Sequence, residues 1–283
     1  MRGRFAPHFA GARGRRPRAL RLSLLACCLC LLACQRERPP PPLPAPRTFS
    51  RSDLAAAALL DAKLARVALL ASRLQLAAEG GGAAIRERAR ALAPEISAAV
   101  AACDEALRSV SHPADRAPAE RAVSAARRFL PLGDDLRAGA GSPAALHGAA
   151  DELGRGILAY RQARSGYAMA AAPEGGATLA FAQARAALER AEAELGRSLP
   201  AAELVSSAPE AAARARRAAG ALEEPLRGPA SRWAGAQAQA VEALGALGTA
   251  PEAGRGEVAL RYQQAKAEAL EALAEYERTR AGR

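Results

Sequence analysis

Apolar residues recur along most of the chain at alternating spacings of four and three. The clearest run follows Ser50, and another follows the glycines at 80–82. Such spacing places the apolar side chains on one face of an α-helix. The first run consists of Leu60, Leu64, Val67, Ala71, Leu74 and Ala78, and the second of Ile85, Ala89, Leu92, Ile96, Ala99, Cys103, Ala106 and Val110. The pattern predicts two long amphipathic helices, the first capped by Ser50 and Asp53.

Charged residues interrupt the first of these helices. Asp61, Lys63, Arg66 and Arg73 all lie off its apolar stripe. A helix inside a lipid bilayer tolerates such charges poorly. We therefore interpret the segment as an amphipathic helix and not as a membrane span.

Proline and glycine divide the rest of the chain into further helical segments. Pro118 is expected to open a third helix that Pro131 and Gly133 interrupt, and Ser142-Pro143 to cap a fourth. Later apolar stripes contain Leu146, Leu153, Ile157, Tyr160 and Tyr167; Phe181, Leu188 and Leu195; Trp233, Gln237, Leu244 and Leu247; and Val258, Tyr262, Ala265 and Tyr276. A weaker helix begins near Ser207. We predict an all-α, elongated helical bundle of about six to eight helices over residues 48–283, built as one domain or as two sub-bundles.

Composition supports this fold class. The chain of 283 residues has 79 alanines but only 14 valines, isoleucines and threonines. Sheet proteins are normally rich in β-branched residues. The skew towards Ala and Arg is also typical of high-GC bacterial genomes, so alanine abundance carries no functional information.

The basic charge is concentrated at the amino terminus. Seven arginines and no acidic residue lie in positions 1–33, and positions 34–283 have 33 basic against 29 acidic residues, a net charge of +4. Residues 48–283 have 30 against 28, or +2. This near-neutral body argues against a nucleic-acid-binding protein.

The amino terminus also carries an export signal. Residues 22–33 form an uncharged apolar run of 12 residues behind the arginines, too short to span a bilayer, which needs roughly 20 residues. Its end, Leu31-Leu32-Ala33-Cys34, resembles the lipobox of bacterial lipoproteins. The resemblance covers residues 1–34 alone and implies cleavage after Ala33 and acylation of Cys34. An ordinary secretory signal cleaved nearby is the alternative.

A proline-rich segment separates Cys34 from the helical body. Six of the eight residues from Pro39 to Pro46 are proline. Polyproline II rises about 3.1 Å per residue, so this segment spans roughly 25 Å. We therefore predict a cleaved signal peptide at 1–33, a lipidated cysteine with a disordered, proline-rich tether at 34–47, and a helical body at 48–283.

Candidate catalytic chemistry is sparse in the predicted mature chain. Its cysteines are Cys34 and Cys103, and its histidines are His112 and His147. Neither histidine has an acidic residue at a metal-ligand spacing, so no metal site and no cofactor are expected. Arg214, Arg216 and Arg217 could form a local basic patch for an anionic lipid or polymer, but at a net charge of only +2 a solvated helix face is the better explanation.

The sequence therefore predicts a non-enzymatic interaction or scaffolding lipoprotein of the cell envelope. Its expected partners are the lipid bilayer, through Cys34, and an envelope protein. Its expected location is the periplasmic face of the inner or outer membrane, or the cell surface. The alternative is a periplasmic helical module that binds a small ligand.

Overall fold

The computed structural model describes residues 49–165, 175–198 and 207–283. The predicted signal peptide, Cys34 and the proline-rich tether lie outside the described residues. The helices in the described ranges are α1 (Arg51–Glu79), α2 (Gly82–Ser109), α3 (Pro113–Arg127), α4 (Phe129–Ala138), α5 (Pro143–Ser165), α6 (Gly176–Ser198), α7 (Ser207–Gly220), α8 (Arg227–Thr249) and α9 (Arg255–Ala281). A 3₁₀ turn, Glu252–Gly254, precedes α9. The described ranges contain no strand, and the predicted all-α bundle is confirmed.

The caps predicted from the sequence are present at α1 and α5. The Ser50 hydroxyl accepts a hydrogen bond from the Asp53 amide, while the Asp53 carboxylate accepts one from the Ser50 amide, each at 3.1 Å. Ser142 accepts from the Ala145 amide at 3.1 Å. These bonds satisfy amides that the helix itself leaves without a partner.

The α3–α4 region differs from the sequence prediction. The helix begins at Pro113, and Pro118 lies inside it. The interruption falls at Arg128, so Pro131 and Gly133 lie within α4. Pro131 is tolerated there because it is the third residue of α4, where its missing amide would have had no helical partner. Together, α3 and α4 take the place of the predicted third helix, but the predicted start at Pro118 and the predicted interruption at Pro131 and Gly133 were wrong.

Helix α1 lies between two groups of helices. It packs against α2, α3 and α5 on one side and against α9 on the other, while α8 packs on α9 and α7. Two clusters of buried apolar residues result. We call the one that joins α1 to α2–α5 the leucine core, and the one that joins α1 to α6–α9 the alanine core. Whether the body is one domain or two sub-bundles stays a prediction.

The two cores meet α1 on different residues. The leucine core contains Ala57, Leu60, Leu64, Val67, Leu70, Ala71 and Leu74 of α1, and the alanine core contains Ala58, Ala62, Ala65 and Leu69. A helix that buries both faces carries few exposed positions. Asp61 lies between the two sets and is itself buried.

Candidate functional site

A group of buried polar side chains occupies the region where both helix groups meet. Asp61 of α1 and Arg161 of α5 form an ion pair in which the Arg161 Nε lies 2.8 Å from Asp61 Oδ1. The second Asp61 oxygen is 3.1 Å from the same nitrogen. A guanidinium that contacts a carboxylate in this way fixes its orientation as well as its charge. This pair fastens α5 to α1.

Four more polar side chains continue the group into α6, α8 and α9. Lys266 Nζ donates to Glu192 Oε2 at 2.5 Å and to Gln237 Oε1 at 3.1 Å. Gln237 Nε2 donates to Glu192 Oε2 at 2.7 Å, and the Tyr262 hydroxyl donates to Glu192 Oε1 at 2.8 Å. Side chains of α8 and α9 therefore converge on one carboxylate of α6. We call Glu192, Gln237, Tyr262 and Lys266 the Glu192 cluster.

The Glu192 cluster is withdrawn from solvent. Gln237 is 1% exposed, Lys266 7% and Glu192 9%. Burial on its own would raise the pKa of Glu192, but the Lys266 ammonium, with help from Arg161 and the Tyr262 hydroxyl, lowers that pKa to about 2. The pKa of Tyr262 is raised, first by burial and then by the neighbouring Glu192 carboxylate. Glu192 is therefore ionised and Tyr262 protonated at neutral pH.

A second set of ion pairs ties α6 to the end of α9. Arg185 donates to Glu189 at 2.9 Å and to Glu277 at 2.8 Å. Next to it, the Phe181 ring makes an edge contact with Trp233 and a tilted contact with Tyr276, with ring centres 5.4 Å and 4.9 Å apart. Helix α6 is therefore held by aromatic packing at one end and by the Glu192 cluster further along.

The structure gives structural roles to the histidines and to the cysteine in the body. The His112 ring accepts from the Ala114 amide at 3.3 Å, which caps α3, and stacks on Phe49 with ring centres 3.9 Å apart. His147 is exposed, with Nδ1 2.7 Å from the Pro143 carbonyl. Cys103 is fully buried, and burial raises the pKa of its thiol to about 12. That pKa leaves almost no thiolate at neutral pH, so this cysteine is a poor nucleophile.

A groove lies on the surface between α8 and α9. Its volume is about 380 Å³, and it is lined by Gln239, Glu242, Ala243, Ala246, Arg261, Gln264, Ala265 and Glu268. The lining combines charged and amide groups with three alanines. This composition suits a small ligand that has both polar and apolar parts.

Sequence reasoning missed most of the buried polar group. Helical spacing predicts that Asp61 lies off the apolar stripe of α1, and it does not reveal the second core that buries this residue. Gln237 and Tyr262 were placed on apolar stripes, which is where the structure puts them. The available signal was Gln237, a polar residue on an otherwise apolar stripe.

Lipidation at Cys34 falls outside the described residues. Among residues 49–165, 175–198 and 207–283, no helix is long and apolar enough to cross a membrane. Over the same ranges, no three His, Cys, Asp or Glu side chains come together in a way that could hold a metal ion. Comparison with protein families, with curated proteins and with solved structures found no match.

Proposed function

We propose that this chain is a bacterial lipoprotein whose helical body acts as a non-enzymatic scaffold of the cell envelope, held at a membrane through acylated Cys34. The observation that carries the proposal is the Leu31-Leu32-Ala33-Cys34 motif behind a short apolar segment, followed by six prolines in eight residues. One acyl chain binds a membrane marginally, whereas two or three hold it firmly. The proline segment then holds the body about 25 Å from the anchor.

The arrangement of charges in the body supports a structural role. Ion pairs join different helices at the surface, as between Arg127 and Asp104 at 2.8 Å and between Arg66 and Glu95 at 3.0 Å. In the interior, Glu192 and Lys266 bind each other. Side chains engaged in this way fix the relative positions of the helices. A rigid body of this kind presents its exposed helix faces to a partner in a constant arrangement.

Mass spectrometry of the mature amino terminus tests the anchor. We expect an acylated cysteine at position 34 and release of Cys34→Ala into the soluble fraction. Cys103→Ala is the matched control, because this buried thiol should leave membrane binding unchanged. An unmodified terminus that begins elsewhere would overturn the proposal.

The length of the tether tests the scaffold. Deleting Pro39–Pro46 should weaken crosslinking to an envelope partner held at a fixed distance. Replacement of those eight residues by glycine and serine is the control for length, because a flexible chain of eight residues spans only about 16 Å on average. His147→Ala should leave crosslinking intact. Equal crosslinking in the wild-type protein, the deletion and the glycine-serine replacement would contradict a distance-dependent role.

A periplasmic ligand-binding module is the second candidate, and the groove between α8 and α9 favours it. Arg261 is an exposed cation in the lining of the groove, which also contains Glu242 and Glu268. If the groove binds a small polar ligand, Arg261→Ala should abolish the rise in melting temperature that the ligand causes. Arg232→Ala, on α8 but outside the groove, should preserve that rise.

A further inference from the structure

We infer that Gln237, Tyr262 and Lys266 form a receptor for a small aliphatic carboxylate, which the side chain of Glu192 fills in this structure. The inference concerns the body alone. It does not depend on the membrane anchor, and either can fail without the other.

The three donors are arranged to bind a carboxylate. Three groups converge on the two Glu192 oxygens: the Tyr262 hydroxyl on Oε1, and the Gln237 amide and the Lys266 ammonium on Oε2. All three donors belong to α8 and α9, whereas the carboxylate comes from α6. Two separate acceptor oxygens bound from different sides are the arrangement that a planar carboxylate requires.

Two of the donors are also held by contacts that do not involve α6. Lys266 Nζ also donates to Gln237 Oε1 at 3.1 Å, which couples the two donors directly. Helices α8 and α9 pack closely along their length, so their side chains are positioned by that interface. We therefore expect the receptor to keep its arrangement when Glu192 is absent, so that binding of a carboxylate requires little reorganisation.

The charge of the site favours an anionic ligand. Without Glu192, the receptor contains the Lys266 ammonium, while the adjoining Arg161 is neutralised by Asp61. A buried ammonium without a counter-ion is costly, so the empty site favours an anion over a neutral ligand. Lys266 and Gln237 are buried, so a ligand can reach them only if Glu192 is removed or α6 moves away.

Glu192→Ala with added acetate tests the inference. The substitution removes one methylene and the carboxylate, which are the heavy atoms of acetate, and it leaves the three donors in place. We expect the melting temperature to fall by about 6–20 °C, because one partner of a buried pair is lost. Acetate should then raise it by several degrees, in a saturable manner, above the value in chloride of equal ionic strength.

Two variants serve as controls. Glu192→Gln fills the same space with an amide, so acetate should not raise its melting temperature. Glu192→Ala combined with Lys266→Met removes the charge that attracts the anion and should also be insensitive to acetate. If Glu192→Ala is unfolded in chloride, acetate-dependent recovery of its helical circular dichroism replaces the thermal measurement. An equal effect of acetate and chloride on Glu192→Ala, or an equal acetate effect in the double variant, would overturn the receptor.

Discussion

The two faces of α1 bury different kinds of residue, and the contrast extends through the body. Among the described residues, the leucine core has 9 alanines in 29 members, whereas the alanine core has 17 in 29. Large side chains fill the space between well-separated helices, whereas alanine lets helix backbones approach closely. Less apolar area is then buried per residue, so the same length of helix gives a smaller hydrophobic contribution.

The alanine core compensates with specific polar and aromatic contacts. It adjoins the Glu192 cluster and contains Phe181, Trp233 and Tyr276. Buried ion pairs add little net stability compared with apolar residues of equal volume, but they penalise arrangements in which the charges do not meet. An alanine surface has few features that fix helix register. We therefore interpret the Glu192 cluster as the element that fixes the register of α6, α8 and α9.

The largest expected effect is a charge placed in the leucine core. Leu64 of α1 is fully buried and belongs to the leucine core. Leu64→Asp should lower the free energy of unfolding by about 4 kcal/mol or more, because it loses apolar contacts and buries an unpaired carboxylate. Urea denaturation measures the change. A loss below about 0.5 kcal/mol would mean that this face of α1 is exposed to solvent.

Next in size is the removal of Lys266 beside the alanine core. Lys266→Met keeps the side-chain volume but leaves Glu192 buried without its cation, which should cost about 3–5 kcal/mol. Arg232→Met breaks the exposed Arg232–Glu275 pair instead and should change stability by less than about 0.5 kcal/mol. Equal losses in the two variants would show that the Glu192 cluster does not hold the helices together.

Acid should weaken the same cluster. The folded-state pKa of Glu192 is about 2, below its ordinary value of 4.5. Its stabilising contribution is therefore complete above pH 4.5 and is lost as the pH falls towards 2, an effect of about 3 kcal/mol. Glu192→Gln does not titrate there, so its stability should fall less over this range. Parallel pH profiles of the two proteins, measured by urea denaturation, would contradict the assignment.

These predictions depend on residues that the sequence identified to different degrees. The stripe through Leu60, Leu64 and Leu74 could be recognised in the sequence, because large apolar residues recur there at helical spacing among polar ones. Ala58, Ala62 and Ala65 did not stand out, because alanine also occurs at many exposed and half-buried helix positions of this chain. For this reason the sequence did not predict the second buried face of α1, and it did not predict that Asp61 is buried.

The sequence did not predict the Glu192 cluster, for a different physical reason. Glu192 is followed two residues later by Glu194, and Lys266 by Glu268, and within each pair the second residue is the more exposed. Helical spacing separates them, because residues two apart point to nearly opposite sides of a helix. It does not show that Glu192 and Lys266 meet, because that depends on how α6, α8 and α9 pack in space. The clearest signal was Gln237, since a polar residue on an otherwise apolar stripe indicates a buried hydrogen-bond partner.

The smallest expected effect concerns close helix contact outside the alanine core. Gly156 of α5 packs on α3, and a Cβ added there would lie 3.1 Å from the Ala122 Cα. Gly156→Ala should cost about 1–3 kcal/mol, because backbone and not a flexible side chain must yield. Gly154→Ala is the matched control on the same helix: it meets nothing within 4 Å, and it should stabilise the protein by about 0.5–1 kcal/mol through helix propensity. Thermal unfolding of both variants separates the two effects. If Gly156→Ala were also stabilising, α3 and α5 would have room to move apart at this contact, and close approach would not be required there.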